Sequence, residues 1–242
     1  MELDSRAYYE ECWATGGVYT QVGHVPIDPA IHRLVEAFLW QDAYCLDVGC
    51  GDGQTAGTWL AGRTSHYVGV DISQNAVRRA CERGLNATAI ENASCLPFPD
   101  ATFDLVLCTE VLEHLFQPQL AAMEIFRVLR PGAMIIATVP NVTHWWHRLC
   151  FCFAGRWDPY GDALSVEQPW RDPHIRFFTN KTLERMLRLV GFEKVWVSGG
   201  VPTIFRHVSW VRQNFDRIGS LPCVPTCISR RLLAVARKPL ES

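Results

Sequence analysis

Nothing in this sequence is long and apolar enough to read as a membrane span. No run approaches the roughly 20 residues such a helix needs, and the clearest apolar stretch, Ala133 to Val139, is strand-sized. A charge excess is missing too: 23 basic side chains meet 25 acidic ones, for a net charge of −2. That balance advertises neither nucleic acid nor an anionic membrane as a partner, although a local basic patch can hide in a neutral total. The N-terminus, MELDSRAYYEE, is acidic and polar and shows no signal-peptide core, so a cytoplasmic protein with reduced thiols is expected. Its ten cysteines fall well short of the about 8–10% of a disulfide scaffold. Cys45, Cys108, Cys150 and Cys152 sit in apolar runs, where cysteine packs as a small hydrophobe. Cys150-x-Cys152 and Cys223-x3-Cys227 lack the paired CxxC knuckles usual for zinc. Repeats and low-complexity linkers are absent as well.

What is present is 48% hydrophobic and 20% charged residues in 242 positions, enough for one sizeable α/β domain. Strand-like and helix-like segments alternate. Helices are expected at Pro29–Trp40, Thr55–Ala61, Gln74–Arg83 (capped by Ser73), Pro118–Leu129 and Asn180–Val190. Strands are expected at Tyr44–Val48, His66–Val70, Ala87–Glu91, Phe103–Cys108, Met134–Val139, Phe192–Val197 and Arg231–Ala236, with Arg130-Pro131-Gly132 as a turn before the fifth. Such alternation predicts a parallel sheet with helices on both faces. Residues 1–242 read as one domain, with an N-terminal cap at 1–27 and inserts at 141–173 and 201–227.

Leu46-Asp47-Val48-Gly49-Cys50-Gly51-Asp52-Gly53 follows a strand and opens a helix, where glycines let the backbone turn tightly and approach a ligand closely. Asp71 ends the next strand and offers two oxygens to the two hydroxyls of a ribose. A dinucleotide would need a third glycine at position 54, which is Gln54, and would set its pyrophosphate beside Asp47. A cofactor with an ammonium group and a ribose but no phosphate suits Asp47 and Asp71 better, a description that fits S-adenosylmethionine.

Four blocks in order, LDVGCGDG, GVDIS, NASCLPFPDATFDLVLCTEVLEHL and RVLRPGAMIIATVPN, resemble a class I S-adenosylmethionine-dependent methyltransferase over about residues 30–200. The resemblance implies a Rossmann-like, doubly wound, seven-stranded and mostly parallel sheet with an antiparallel last strand. It also implies positions for the cofactor. Gly49, Cys50 and Gly51 pass under its methionine and ribose portions, and Asp47 orients the ammonium group. Asp71 holds the ribose hydroxyls and Ile72 packs on the adenine. Asn92 and Ala93 stand where the family has Asp-Ala at the adenine amino group, so the charge there is lost. Thr109 and Glu110 border the methionine end.

Glu110, Glu113 and His114 have i, i+3, i+4 spacing and would share one helix face. With His174 they make a candidate divalent-metal set, similar to the E-x-x-E-H and later histidine of the ubiquinone-pathway catechol O-methyltransferases and of the small-RNA 3′-terminal 2′-O-methyltransferases. Many metal-free members share the same segment, and there His114, His144, His147 or His174 is a candidate general base, with Glu113 beside them as a candidate catalytic acid. The insert at 141–173 is aromatic: His144, Trp145 and Trp146 are candidate substrate contacts, a satellite core or a touch point on a membrane carrying a prenylated acceptor. Tyr19 in the N-terminal cap is a further substrate candidate, and residues 202–226 are a candidate substrate wall or homodimer contact. The resulting expectation is methyl transfer to a small or medium acceptor, chiefly at oxygen. An RNA 2′-O-methyltransferase, an N- or C-methyltransferase of a natural product and a non-catalytic binder of the same cofactor are the alternatives.

Overall fold

The computed structural model describes residues 5–15, 29–155, 170, 172–200 and 226–240. Helix α1 (Ser5–Ala14) precedes α2 (Pro29–Phe38). The alternating body follows: β1 (Tyr44–Val48), α3 (Gly57–Ala61), β2 (His66–Asp71), α4 (Gln74–Glu82), β3 (Ala87–Ala89) and β4 (Phe103–Thr109). After a 3-10 turn at Leu112–His114 come α5 (Pro118–Val128), β5 (Leu129–Pro140), α6 (Trp145–Ala154), α7 (Asn180–Val190), β6 (Glu193–Gly199) and β7 (Arg231–Arg237).

The seven strands lie in the order β3-β2-β1-β4-β5-β7-β6. The first five are parallel, and β7 runs antiparallel to both neighbours. Alternation along β4 shows why both faces must be covered. Val106 and Cys108 enter one buried cluster, with Leu46, Ile125 and Leu183, while Leu105 and Leu107 enter the other, with Leu34, Leu60 and Ile136. Order reverses at β1, which has β2 on one side and β4 on the other. The carboxyl ends there part into a crevice, the usual ligand position in such sheets.

Local signals explain most boundaries. Ser73 Oγ accepts the Ala76 N–H and starts α4. Thr179 and Thr182 form a capping box at α7, and Gly191, at φ +116°, ends it. Some boundaries move: α2 ends at Phe38 rather than Trp40, α3 starts at Gly57 rather than Thr55, and β3 ends at Ala89 rather than Glu91. Arg130-Pro131-Gly132 belongs to β5 as an irregularity, since pairing with β4 jumps from Phe103–Leu129 to Leu105–Met134. The aromatic insert contains α6, ended by Gly155 at φ +57°. Among the described residues no helix is long and apolar enough to cross a membrane.

Candidate functional site

The loop after β1 turns through three glycines with positive φ, Gly49 (+76°), Gly51 (+55°) and Gly53 (+74°). The first two N–H groups of the loop, on Gly49 and Cys50, donate to Val70 O at 2.8 and 3.0 Å. The Gly51 N–H donates to Asp71 Oδ2 at 2.9 Å, and the Ser73 N–H to Asp71 Oδ1 at 2.9 Å. Asp71 thus clamps loop and helix together through one hydrogen bond to each oxygen. Burial pushes its carboxyl up, opposed by the N–H groups of Ser73, Gly51 and Ile72. Ile72 is half-buried. Cys50 points its sulfur inward, toward the core side of Gly69, and is 6% exposed.

Asp47 lies beneath this loop and is 1% exposed. Its Oδ2 accepts from Tyr67 Oη at 3.2 Å. Burial pushes the carboxyl up to about 7, with the Tyr67 hydrogen bond opposing. A buried carboxylate with only a neutral donor suits a nearby cation. It also destabilises the protein without one. The folded state holds this proton more tightly than the unfolded chain, so stability falls as pH rises from about 4 to about 7. The loss is roughly 4 kcal/mol at 1.36 kcal/mol per unit. Asp47→Asn keeps the Tyr67 acceptor and removes the titration. Chemical denaturation at about pH 5 and about pH 8 is expected to show a shallower stability decline than wild type, and parallel declines would contradict the assignment.

At the end of β4, Glu110, Glu113 and His114 do not share a helix face. Glu110 does not open a helix turn: it sits at φ +54°, a strained position for a side-chain-bearing residue. The helical turn covers only Leu112–His114. Glu110 instead reaches Arg231 Nε at 3.4 Å and stands outside the metal-competent group. That group is Glu113, His114 and His174, whose candidate ligand atoms lie within 4.8 Å of one another. Glu113 is fully buried, and neither carboxylate oxygen has a hydrogen-bond partner among the described residues. Burial, and then the charge of Glu110, raise its pKa well above the carboxylate range. His114 Nδ1 contacts the Pro173 carbonyl at 3.2 Å, turning Nε2 toward Glu113 at 3.7 Å. Burial and the neighbouring His174 lower its pKa to about 3. His174 Nδ1 contacts Asp172 Oδ1 at 2.5 Å, and the two imidazoles lie 4.4 Å apart. The Ile175 and Arg176 N–H groups both donate to Glu113 O, at 3.0 and 2.9 Å, and draw the 172–176 segment onto the turn.

The remaining candidates scatter. Thr109 is half-buried at the end of β4, and Ala93 is buried. Asn92 is exposed, and its carbonyl oxygen already accepts the Ser94 N–H at 2.7 Å, so the acceptor expected for adenine is partly engaged. Trp145 and Trp146 stand 47% and 46% exposed on α6, whereas His144 is buried beside His147. Tyr19 lies outside the described residues. Two groups went unrecognised. Asp172 had a signal, a carboxylate two positions before a candidate histidine. Tyr67 had none, because only the β1–β2 register sets it next to Asp47.

Residues 46–137 match the family described as a methyltransferase domain. Within those residues the chain carries the signature of a methyltransferase domain. It is 37% identical over 214 residues to an uncharacterized protein in a transposon of Streptomyces fradiae, covering 78% of this chain and 56% of that one. It is 30% identical over 149 residues to a probable S-adenosylmethionine-dependent methyltransferase of Mycolicibacterium smegmatis, covering 61% and 51%. A third relative, 27-O-demethylrifamycin SV methyltransferase of Amycolatopsis mediterranei, is 34% identical over 97 residues, covering 37% and 36%. The chain spans about half the length of the first two relatives. A Thermotoga maritima structure described as an S-adenosylmethionine-dependent methyltransferase shares the methyltransferase fold. Its TM-score is 0.61 at 20% identity, over 85% of this chain and 86% of that one.

Proposed function

We propose that this methyltransferase moves the methyl group of S-adenosylmethionine to an oxygen of a small or medium-sized acceptor, releasing S-adenosylhomocysteine. The observation that carries the oxygen assignment is the convergence of Glu113, His114 and His174 beside the glycine loop. Val111, two residues before Glu113, packs against Gly49, so loop and cluster share one crevice.

In this reading Gly49, Cys50 and Gly51 pass under the cofactor, and Asp71 accepts its ribose hydroxyls. Asp47 offsets the ammonium charge from below. Ile72, Asn92 and Ala93 surround the adenine, while Thr109 and Glu110 border the methionine end. The donor set of Glu113, His114 and His174 fits a divalent cation. One carboxylate and two imidazoles converge, and the Pro173 carbonyl and the Asp172 carboxylate fix one nitrogen of each ring. A cation held there would lower the pKa of an acceptor hydroxyl. The crevice itself aligns nucleophile, methyl carbon and sulfur, and that alignment supplies most of the rate gain for an already activated sulfonium.

The Asp172–His174 contact supports a second, metal-free reading in which His174 takes the hydroxyl proton and Asp172 orients the ring. Chelation separates the two. With a panel of catechols as acceptors, S-adenosylhomocysteine release after EDTA dialysis is expected to fall at least about tenfold and to return with Mg²⁺ or Zn²⁺. Activity untouched by chelation removes the metal. His174→Ala is then expected to cost about 100-fold in kcat at unchanged KM for S-adenosylmethionine.

A further inference from the structure

We infer that Tyr9 is a cofactor-contacting residue of this site: its phenolic hydroxyl, carried into the crevice on α1, donates a hydrogen bond to an oxygen of the bound S-adenosyl group between Asp71 and Glu113, and Glu10 holds it in place. The inference rests on the assignment of Asp71 to the ribose.

Helix α1 is fastened at three points, to Ile90 just past β3 and to α4. Near its start, Arg6 Nη2 donates to Ile90 O at 3.0 Å. In its middle, the Glu10 carboxylate meets the N-terminus of α4. It accepts from Ser73 Oγ at 3.0 Å, from the Gln74 and Asn75 N–H groups at 2.5 and 3.1 Å, and from Asn75 Nδ2 at 2.8 Å. A carboxylate on the unpaired N–H groups of a helix start is a favourable pairing, and those donors pull the Glu10 pKa down. Near its end, Trp13 is 4% exposed, with the Arg79 guanidinium 5.9 Å from its ring centroid. Ser73 links this fastening to the site, since its N–H holds Asp71 while its hydroxyl holds Glu10.

Tyr9, next to Glu10, reaches the turn that carries Glu113 and His114. Its ring stands edge-on to His114 with centroids 5.8 Å apart. Its hydroxyl is buried and has no hydrogen-bond partner among the described residues. A phenol keeps its proton near neutral pH, so the hydroxyl acts as a donor. A buried donor without a protein acceptor costs stability. A ligand oxygen lying between Asp71 and Glu113 would satisfy it.

Tyr9→Phe removes one oxygen and leaves the packing, so its two effects should have opposite signs. The unliganded variant is expected to melt at or above the wild-type temperature, while calorimetry shows S-adenosylhomocysteine binding weakened about tenfold. Glu10→Ala is expected to weaken binding by a similar factor, with partial recovery in Glu10→Gln, which keeps an acceptor oxygen. Unchanged affinity in Tyr9→Phe, alongside lost binding in Asp71→Ala, would overturn the role of Tyr9 and leave the site standing. Full binding in Asp71→Ala would overturn both.

Discussion

Asp71→Ala is expected to raise the Kd for S-adenosylhomocysteine at least about 100-fold. Hydrogen bonds to a charged group contribute about 1.5–3 kcal/mol each, and the proposed site asks Asp71 for two, at about 1.4 kcal/mol per decade. Part of any loss comes from the protein itself, because the same carboxylate ties the Gly51 and Ser73 N–H groups. The 2′-deoxy analogue of the ligand separates these contributions. On wild type it lacks one of the two hydroxyls and should bind at least tenfold more weakly. On Asp71→Ala it should bind as the parent does, since the partner of that hydroxyl is gone. If the deoxy change costs the same on both proteins, Asp71 supports the loop and does not touch the ribose.

The parts of this molecule that could be read in the sequence are those where local rules and chemistry coincide. Glycines at 49, 51 and 53 adopt the left-handed backbone that their placement between strand and helix demanded, and Asp71 closes on the loop from the neighbouring strand. The helix caps at Ser73 and Gly191 were equally local. Spacing failed at Glu110. Counting i, i+3, i+4 presumed a helix that begins only at Leu112, and the strained residue at 110 swings away to Arg231 on β7, 121 positions further along. The partners of the histidines were half legible. Asp172 stands two residues from His174, but nothing in the chain announced that the Glu113 carbonyl would collect the Ile175 and Arg176 N–H groups and bring that segment home. Tyr67 and Tyr9 depend on sheet register and helix docking, which are properties of the assembled fold.

Gly49→Ala should be the most damaging single-methyl change in the loop's first turn. The backbone at 49 has φ +76°, and an added Cβ would meet Val111 Cγ2 at 2.3 Å. The left-handed conformation costs about 1–2 kcal/mol for a residue with a side chain, and forcing a methyl into packed surroundings adds about 1–3 kcal/mol. A combined loss of about 3 kcal/mol corresponds to a melting point lower by about 10 °C for a chain of this size. Gly84→Ala supplies the comparison: φ is +80°, yet nothing lies within 4 Å of the added carbon, so it should pay the backbone cost alone. Gly49→Ala combined with Val111→Ala should recover the steric share, because the clashing Cγ2 is gone and Val111 Cβ stands 3.7 Å away. The recovery is the coupling energy of a double-mutant cycle. If Gly49→Ala and Gly84→Ala cost the same and Val111→Ala restores nothing, the contact between the loop and the turn before Glu113 does not shape the site. If the cycle closes as expected, that contact sets the spacing between the cofactor loop and the acid–histidine cluster, and Gly49→Ala should slow turnover further than its lost affinity for S-adenosylmethionine explains.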